Sequence, residues 1–452
     1  MTGKAVPRDY PVKRKRLPSP KRKSMFVFIR RHLHSHTLSF CVLLLALAGL
    51  LIALPQAAPP APGEVVQIIP TNTGQPERCL TCHNGIESIS ASHPTEDFGC
   101  VSCHGGLRLA TVADIAHAGM VRNPGALGYA EQYCGGCHAR QVVTVPRAIM
   151  ATYAGAIASV RHTFGLQPDR TAHYATAAVD TLEAFTADAH DPQPIQDFAA
   201  NCLNCHLHAE SRQADYFYRS EGCSACHVLY GDDGLYRGGD PTIPRDEPGH
   251  PLQHTFTTAI PYSQCNHCHN RGNFDLVTMT FLERDDLPAP EGLSDRERRL
   301  HEYYQPIGRF TLCEWELDCI DCHTAREIMG DARLYDSRTA ARYIQCATCH
   351  GTLDSPPQTH VVESPDDLAL LRAALNPNVT LERGATVIDT GNGETFWHVQ
   401  QVGERWILTG KATGEQYAVP LVMGSQCQQQ PDQQDSHYCH ECHTYDRQRG
   451  AG

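Results

Sequence analysis

Cys319-Ile-Asp-Cys-His323 is the stretch of this 452-residue chain that decides its architecture, because the same pattern occurs nine times. Each copy has two cysteines separated by two residues and followed directly by a histidine. We number the copies motif 1 to motif 9, and they begin at Cys79, Cys100, Cys134, Cys202, Cys223, Cys265, Cys319, Cys346 and Cys439. At the cysteine and histidine frequencies of this chain, about 0.06 such matches are expected by chance. The repetition therefore has a chemical cause.

The spacing within each motif is typical of covalent attachment of a c-type haem. Two intervening residues place both sulfurs on one side of a helical turn, where they can add to the two vinyl groups of one porphyrin. The histidine that follows directs its imidazole at the iron. The predicted attachment residues are Cys79, Cys82, Cys100, Cys103, Cys134, Cys137, Cys202, Cys205, Cys223, Cys226, Cys265, Cys268, Cys319, Cys322, Cys346, Cys349, Cys439 and Cys442, which predicts nine haems. The predicted proximal iron ligands are His83, His104, His138, His206, His227, His269, His323, His350 and His443.

Paired cysteines also occur in structural zinc sites and in disulfides. Zinc would require the pairs to combine into four-ligand sites, and it gives no reason for a histidine directly after every second cysteine. The pattern favours haem over both alternatives.

The sixth coordination position of each iron needs a further ligand. Of the 26 histidines, nine are predicted proximal ligands and three precede residue 37, so 14 remain for nine positions. This excess favours bis-histidine ligation at most sites. The candidate distal ligands are His93, His117, His162, His208, His254, His301 and His360, while His267 and His440, which lie inside motifs, are alternative ligands for neighbouring haems. The sequence does not say which distal histidine serves which haem, or whether one haem is open.

The first 36 residues form a basic head with eleven lysines or arginines and one acid, Asp9. Uncharged apolar residues follow from about Leu38 to Leu54. We expect residues 37–55 to form a transmembrane anchor with the head in the cytoplasm, and a cleaved signal peptide is the alternative. Residues 56–75 are a linker rich in Pro and Ala. The place of the basic head before an apolar span explains its charge better than nucleic-acid binding does.

The spacing of the motifs predicts further divisions. Motifs 1 to 3 and motifs 4 to 6 both begin with an interval of 21 residues, which indicates a degenerate repeat of two three-haem modules, residues 76–140 and 201–272. A helical spacer at 141–200 separates them. Motifs 7 and 8 lie in residues 273–360, and motif 9 lies in residues 425–452. Residues 361–424 contain no cysteine and alternate like strands, so we expect a small antiparallel β insert there.

Long periodic apolar segments are scarce around the motifs. We therefore expect a mainly irregular and helical multihaem fold with the haems as its core, one N-terminal transmembrane helix and the small β insert near the C-terminus.

Charge indicates the kind of partner. Beyond residue 36 the chain has 27 basic and 49 acidic residues, and its only lysine is Lys411. This acidity favours solubility and attraction to partners with basic faces. Two cysteines of this part, Cys313 and Cys427, lie outside the motifs, and a disulfide between them is one possible arrangement.

The passages Phe98-Gly-Cys-Val-Ser-Cys-His-Gly-Gly106 and Gln264-Cys-Asn-His-Cys-His-Asn-Arg-Gly272 resemble the bacterial multihaem c-type cytochromes, and the resemblance spans about Pro76 to His443. It implies a membrane-anchored nonahaem protein, with its haem domain in the periplasm or outside, that carries single electrons between respiratory partners such as a quinol-oxidising membrane complex. One alternative is a reductase or oxidase of small nitrogen or sulfur compounds with one open haem. A second is a cytochrome subunit of a larger respiratory or extracellular electron-transfer complex.

Overall fold

The computed structural model describes residues 65–203, 205–210, 218–271, 273–275, 280–282, 305–306, 313, 316–443, 445–446 and 450–451. All of them belong to one compact unit, Glu64–Gly452. The basic head and the apolar segment at 37–55 lie outside the described residues, as does the candidate ligand His301.

Short helices separated by loops make up the region around the motifs. In chain order they are α1 (Thr95–Phe98), α2 (Val101–His104), α3 (Ala113–Ala116), α4 (Leu127–Cys134), α5 (Ala139–Thr144), α6 (Ile149–Thr152), α7 (Ala154–Thr163), α8 (Gln193–Asn201), α9 (Ser224–His227), α10 (Tyr262–Asn266), α11 (Cys319–Cys322), α12 (Ala325–Met329), α13 (Arg338–Ala341), α14 (Cys346–His350), α15 (Leu368–Ala374) and α16 (Ser436–Cys442). Two 3-10 turns, Cys79–Thr81 and Val145–Arg147, accompany them. In the described part of the chain no helix is both long and apolar enough to cross a membrane.

The strands are β1 (Tyr174–Ala175), β2 (Glu183–Ala184), β3 (Asn270–Arg271), β4 (Asn273–Asp275), β5 (Thr280–Leu282), β6 (Gln305–Pro306), β7 (Thr359–Val361), β8 (Thr386–Asp389), β9 (Thr395–Val402), β10 (Arg405–Thr409), β11 (Gln416–Val419), β12 (Tyr445–Asp446) and β13 (Gly450–Ala451). Strands β7 to β11 form an antiparallel meander in the order β11-β10-β9-β8-β7. The register Arg405↔Val402 leaves a two-residue hairpin in which Gly403 has a φ of 63°, as the turns of such hairpins require.

The meander has apolar side chains on both faces. Val387 and Trp397 pack with helix α15 on one face, and Ile388, Phe396 and Trp406 form a second cluster on the other. Strand β9 is buried on both faces along its first half for this reason. The sheet therefore has a protein core of its own.

A second protein core lies in the expected helical spacer. Ile157 on α7 and Ile195 and Phe198 on α8 are buried together with Phe185. The short parallel strands β1 and β2 also belong to this segment, so it contains more than helices.

The expected fold class is wrong in its main feature. The five-stranded antiparallel sheet buries apolar residues in a core of its own, and helices α7 and α8 bury theirs in another. Haem is therefore not needed as the core of these two parts. The sheet begins at Thr359, before the expected boundary at residue 361. The physical reason is that each apolar segment is too short to predict a core by itself, whereas strand pairing brings several such segments together into a common core. The expected transmembrane helix falls outside the described residues.

Candidate haem and metal centres

Eight of the nine motifs form a helical turn, and motif 4 includes a residue, Asn204, that lies outside the described ones. The backbone N–H of the motif histidine donates to the carbonyl of the first cysteine, at 2.8 to 3.1 Å, in seven motifs: those of His83, His104, His138, His227, His269, His323 and His443. This turn places the two thiols and the imidazole of a motif close together. It is the local geometry that attachment of one porphyrin through both sulfurs requires.

Hydrogen bonds from Nδ1 to other residues fix the orientation of several motif imidazoles. His104, His227 and His350 donate Nδ1–H to the backbone carbonyls of Val121, Thr257 and Pro420, at 2.8, 2.8 and 2.7 Å. An imidazole held in this way carries its proton on Nδ1 and keeps the Nε2 lone pair available for a metal.

Two further motif histidines use carboxylates for the same purpose. Nδ1 of His83 lies 2.7 Å from Oδ2 of Asp240, whose side chain is fully buried, and 3.1 Å from Oγ1 of Thr242. Nδ1 of His323 lies 3.0 Å from Oε2 of Glu327. Carboxylate partners of this kind orient metal-binding histidines and raise their basicity. The sequence could have indicated Glu327 by its spacing of four residues from His323, but nothing in it links Asp240 to His83.

Three motif histidines face a second histidine. Ring centroids are 6.0 Å apart for His83 and His117, 6.0 Å for His104 and His254, and 5.9 Å for His138 and His93. A metal–imidazole bond of about 2.0 Å on each side, plus about 1.1 Å from each nitrogen to its ring centre, gives a centroid separation of about 6 Å. In each of these three pairs, the predicted distal ligand lies at the distance from the motif histidine that is compatible with one iron between the two rings.

The distal imidazoles are oriented as well. Nδ1 of His254 lies 3.1 Å from the carbonyl of Glu87, and Nδ1 of His93 lies 3.0 Å from Oγ of Ser90. Desolvation lowers the pKa of His93 and of His104, which favours the neutral form of both rings. Neutral imidazole is the form that binds a metal.

The structure does not bring the other described candidates into such pairs. His208 donates its backbone N–H to Nδ1 of His206, two residues earlier, with the rings 6.4 Å apart. Nδ1 of His162 lies 3.3 Å from the carbonyl of Gln167. His360 lies between the carboxylates of Asp389 and Asp367.

His360 belongs to strand β7 and contacts acids at both ring nitrogens. Its Nδ1 lies 2.8 Å from Oδ1 of Asp389 and its Nε2 lies 3.2 Å from Oδ2 of Asp367. Both nitrogens are therefore engaged within the sheet region, and neither is directed to a motif.

His267, inside motif 6, is a residue whose role remains a prediction. Its side chain is buried, and its Nδ1 has no hydrogen-bond partner in the described part of the chain. Burial lowers its pKa to about 4, chiefly by desolvation, which keeps the ring neutral. This is compatible with the expectation that His267 serves a neighbouring haem.

The sheet holds motif 7 through a buried polar cluster that the sequence did not predict. The backbone N–H of Lys411 donates to Oδ1 of Asp321 at 2.8 Å, and its Nζ donates to the carbonyl of Ile320. Nε2 of His398 donates to the carbonyl of Asp321 at 2.8 Å. The side chains of Lys411, Asp321 and His398 are all buried. These buried hydrogen bonds hold the turn of motif 7 against the sheet.

The thiols do not fit the zinc alternative. Among the described residues, one group of potential ligands, Glu77, Cys79 and Cys100, has its ligand atoms within 4.8 Å of one another. Oε2 of Glu77 already accepts hydrogen bonds from the N–H groups of Cys100 and Val101, at 2.7 and 3.3 Å, so it caps the turn of motif 2. A structural zinc site needs four ligands. The two cysteines outside the motifs, Cys313 and Cys427, are not joined by a disulfide in the structure.

Comparison with known proteins gives no relative: no protein family, no curated protein and no solved structure matches this chain. The class of protein rests on the motifs and on the paired histidines.

Proposed function

We propose that the chain is a nonahaem c-type cytochrome that carries single electrons between redox protein partners outside the cytoplasm. The observation that carries the proposal is the set of opposed histidines, of which His83 and His117 are one pair. An attachment motif followed by a histidine explains one axial ligand, and a second imidazole at about 6 Å supplies the other.

The haems would supply one-electron chemistry, in which one iron is reduced from ferric to ferrous as its neighbour is oxidised. At motifs 1, 2 and 3 the protein's own residues would hold the porphyrin and supply both axial ligands. Two axial ligands at an iron exclude substrate from it, so these three motifs favour an electron carrier over a reductase or oxidase. Asp240 and Glu327 keep the proximal imidazoles in the tautomer that binds iron.

Charge supports protein partners with basic faces. Lys411 is the only lysine beyond residue 36, and it is 8% exposed, so a lysine-rich docking surface is excluded on this part of the chain. The excess of acidic residues attracts basic partners, and their association should slow as salt is added. Because c-type haem is attached outside the cytoplasm in bacteria, we propose the periplasm or the cell exterior as the place of function.

Haem content and spin state test the proposal. The full chain, expressed with the haem-attachment machinery, should contain nine covalent haems, counted by the pyridine haemochrome assay and by intact mass. Its oxidised electron paramagnetic resonance spectrum should be low-spin and unchanged by cyanide or nitrite. A chain without covalent haem would overturn the proposal, and a high-spin signal that shifts with either anion would establish a reductase or oxidase in its place.

A further inference from the structure

We infer that the nine motifs form one line in space in the order 1-2-3-5-6-7-8-9, with motif 4 attached to its side where motifs 5 and 6 meet. The inference rests on the proposed function, since the motifs mark the positions of the haems. The order differs from the sequence order, in which motif 4 stands between motifs 3 and 5. It follows from direct contacts between motifs.

Motifs 1, 2 and 3 are consecutive. Glu77, two residues before motif 1, accepts hydrogen bonds from the first two N–H groups of motif 2, and the Sγ atoms of Cys79 and Cys100 lie within 4.8 Å of each other. Because each thiol is the atom that bonds the porphyrin edge, thiols this close place two porphyrin edges side by side. Helix α2 of motif 2 then contacts helix α4, which ends at Cys134 of motif 3.

The line passes from motif 3 to motif 5. The N–H of Cys223 donates to the carbonyl of Gly125 at 2.8 Å, just before the helix that carries motif 3. Oγ of Ser224 donates to Oδ1 of Asn123, also at 2.8 Å. Desolvation, and then the neighbouring Cys134 thiol, raise the pKa of Cys223 to about 11, which agrees with the proximity of these motifs.

Motif 5 is joined directly to motif 6. Nε2 of Gln264, the residue before motif 6, donates to the carbonyl of Ala225 inside motif 5 at 2.7 Å and to that of Val228 at 3.2 Å. Gln264 is itself buried, so water does not separate the two turns at this point.

Motif 6 contacts motif 7 in the same way. Helix α10 packs against helix α11, and the N–H of Tyr262 donates to Oδ1 of Asp318 at 2.5 Å. The neighbouring Cys319 thiol, and then desolvation, raise the pKa of Cys265, which agrees with the contact between these two motifs.

Glu327 joins motif 7 to motif 8. Its Oε2 contacts the imidazole of His323, and its Oε1 accepts from the N–H groups of Tyr343 and Ile344, at 2.8 and 2.9 Å, just before motif 8 begins. One carboxylate therefore fixes the distance between two motifs.

Motifs 8 and 9 are joined at their first turns. The N–H of Cys346 donates to Oγ of Ser436 at 2.9 Å, and the N–H of Ser436 donates to Oε1 of Gln345 at 3.3 Å. Desolvation, and then the neighbouring Cys346 thiol, raise the pKa of Cys439 to about 11, which agrees with the proximity of these motifs.

Motif 4 lies beside this line. The neighbouring Cys205 thiol, and then desolvation, raise the pKa of Cys268 well above its ordinary value, which agrees with a place for motif 4 beside motif 6. The carbonyl of Leu207 accepts from the N–H of Gly222, the residue before motif 5, at 2.9 Å. Motif 4 thus contacts the junction of motifs 5 and 6, which already touch each other through Gln264.

The two ends of the line reach the surface. Cys82 of motif 1 and Cys442 of motif 9 are exposed thiols, and Cys137 of motif 3 is exposed as well. Both cysteines of every other motif are at least partly buried. Redox partners should therefore exchange electrons at motifs 1 and 9, with motif 3 as a further accessible point.

Iron positions in the haem-loaded full chain test the inference, and a crystal structure or a cryo-electron microscopy map supplies them. We expect the irons of motifs 3 and 5 to be nearest neighbours along the line, and the iron of motif 4 to lie closest to that of motif 5 or motif 6. An iron of motif 4 placed between those of motifs 3 and 5 would overturn the order while leaving the proposed function intact. Haem counted per chain in the same preparation separates this failure from failure of the proposed function.

Discussion

His93 and His138 face each other with ring centroids 5.9 Å apart and their planes inclined by 25°. His138 belongs to motif 3, whereas His93 lies in the loop between motifs 1 and 2. The predicted distal ligand of motif 3 therefore lies between motifs 1 and 2 in the sequence, and a haem at motif 3 would bind these segments together.

Replacement of His93 by alanine should remove the sixth ligand from one iron. In the haem-loaded full chain we expect haem content to stay at nine, because the thioether bonds are untouched, while about one iron per chain becomes high-spin. The electron paramagnetic resonance spectrum measures this change. His190→Ala is the matched control, because His190 is exposed. An entirely low-spin spectrum of His93→Ala would show that another residue ligates this iron.

The helical turn of most motifs could be predicted from the sequence, because that geometry is local, and the role of the motif cysteines in haem attachment stays a prediction. The sequence also named His93, His117 and His254, but it could not assign them to motifs, because their partners depend on tertiary contacts. Strand alternation located most of the sheet, yet the haem-core expectation failed. Val387 and Ile388 are buried among apolar residues that come from several paired strands, and the sequence of one strand alone does not predict this burial.

Asp240 should tune the haem of motif 1 through His83. Its carboxylate increases the basicity of the imidazole, which favours ferric iron, so Asp240→Asn should raise the reduction potential of one haem. A spectroelectrochemical titration of the full chain measures the shift. Asp233→Asn is the control, because Asp233 pairs with Arg237 on the surface. Identical titration curves for Asp240→Asn and the wild type would contradict the role given to Asp240.

Lys411 should contribute to stability as the buried partner of motif 7. Lys411→Met keeps much of the side-chain volume but removes the ammonium group that donates to the carbonyl of Ile320 and lies near the buried carboxylate of Asp321, at a cost of about 2 kcal/mol in the free energy of unfolding. The double variant Lys411→Met/Asp321→Asn should recover at least half of that loss, because no unpaired charge remains. Denaturant unfolding of the haem-loaded chain measures both. Equal losses in the single and the double variant would mean that packing, and not charge, is responsible.

His360 should stabilise the sheet in a pH-dependent way. Desolvation lowers its pKa, but the hydrogen bonds to Asp389 and Asp367 outweigh this effect, and the pKa in the folded protein lies above the ordinary value of 6.5. A raised pKa means that the folded state binds the proton more tightly than the unfolded state. The stabilisation is therefore complete below pH 6.5 and is lost as the pH rises through the pKa of the folded protein.

His360→Gln should lower the melting temperature more at about pH 5.5 than at about pH 8.5, since only the charged imidazole gains from the two carboxylates. His190→Gln, on an exposed position, should show no such difference between the two pH values. The same variant separates the sheet role from the predicted ligand role, because loss of an axial ligand would produce a high-spin iron at both pH values. A high-spin signal in His360→Gln, with a melting difference independent of pH, would assign His360 to an iron and contradict the ion pairs described for it.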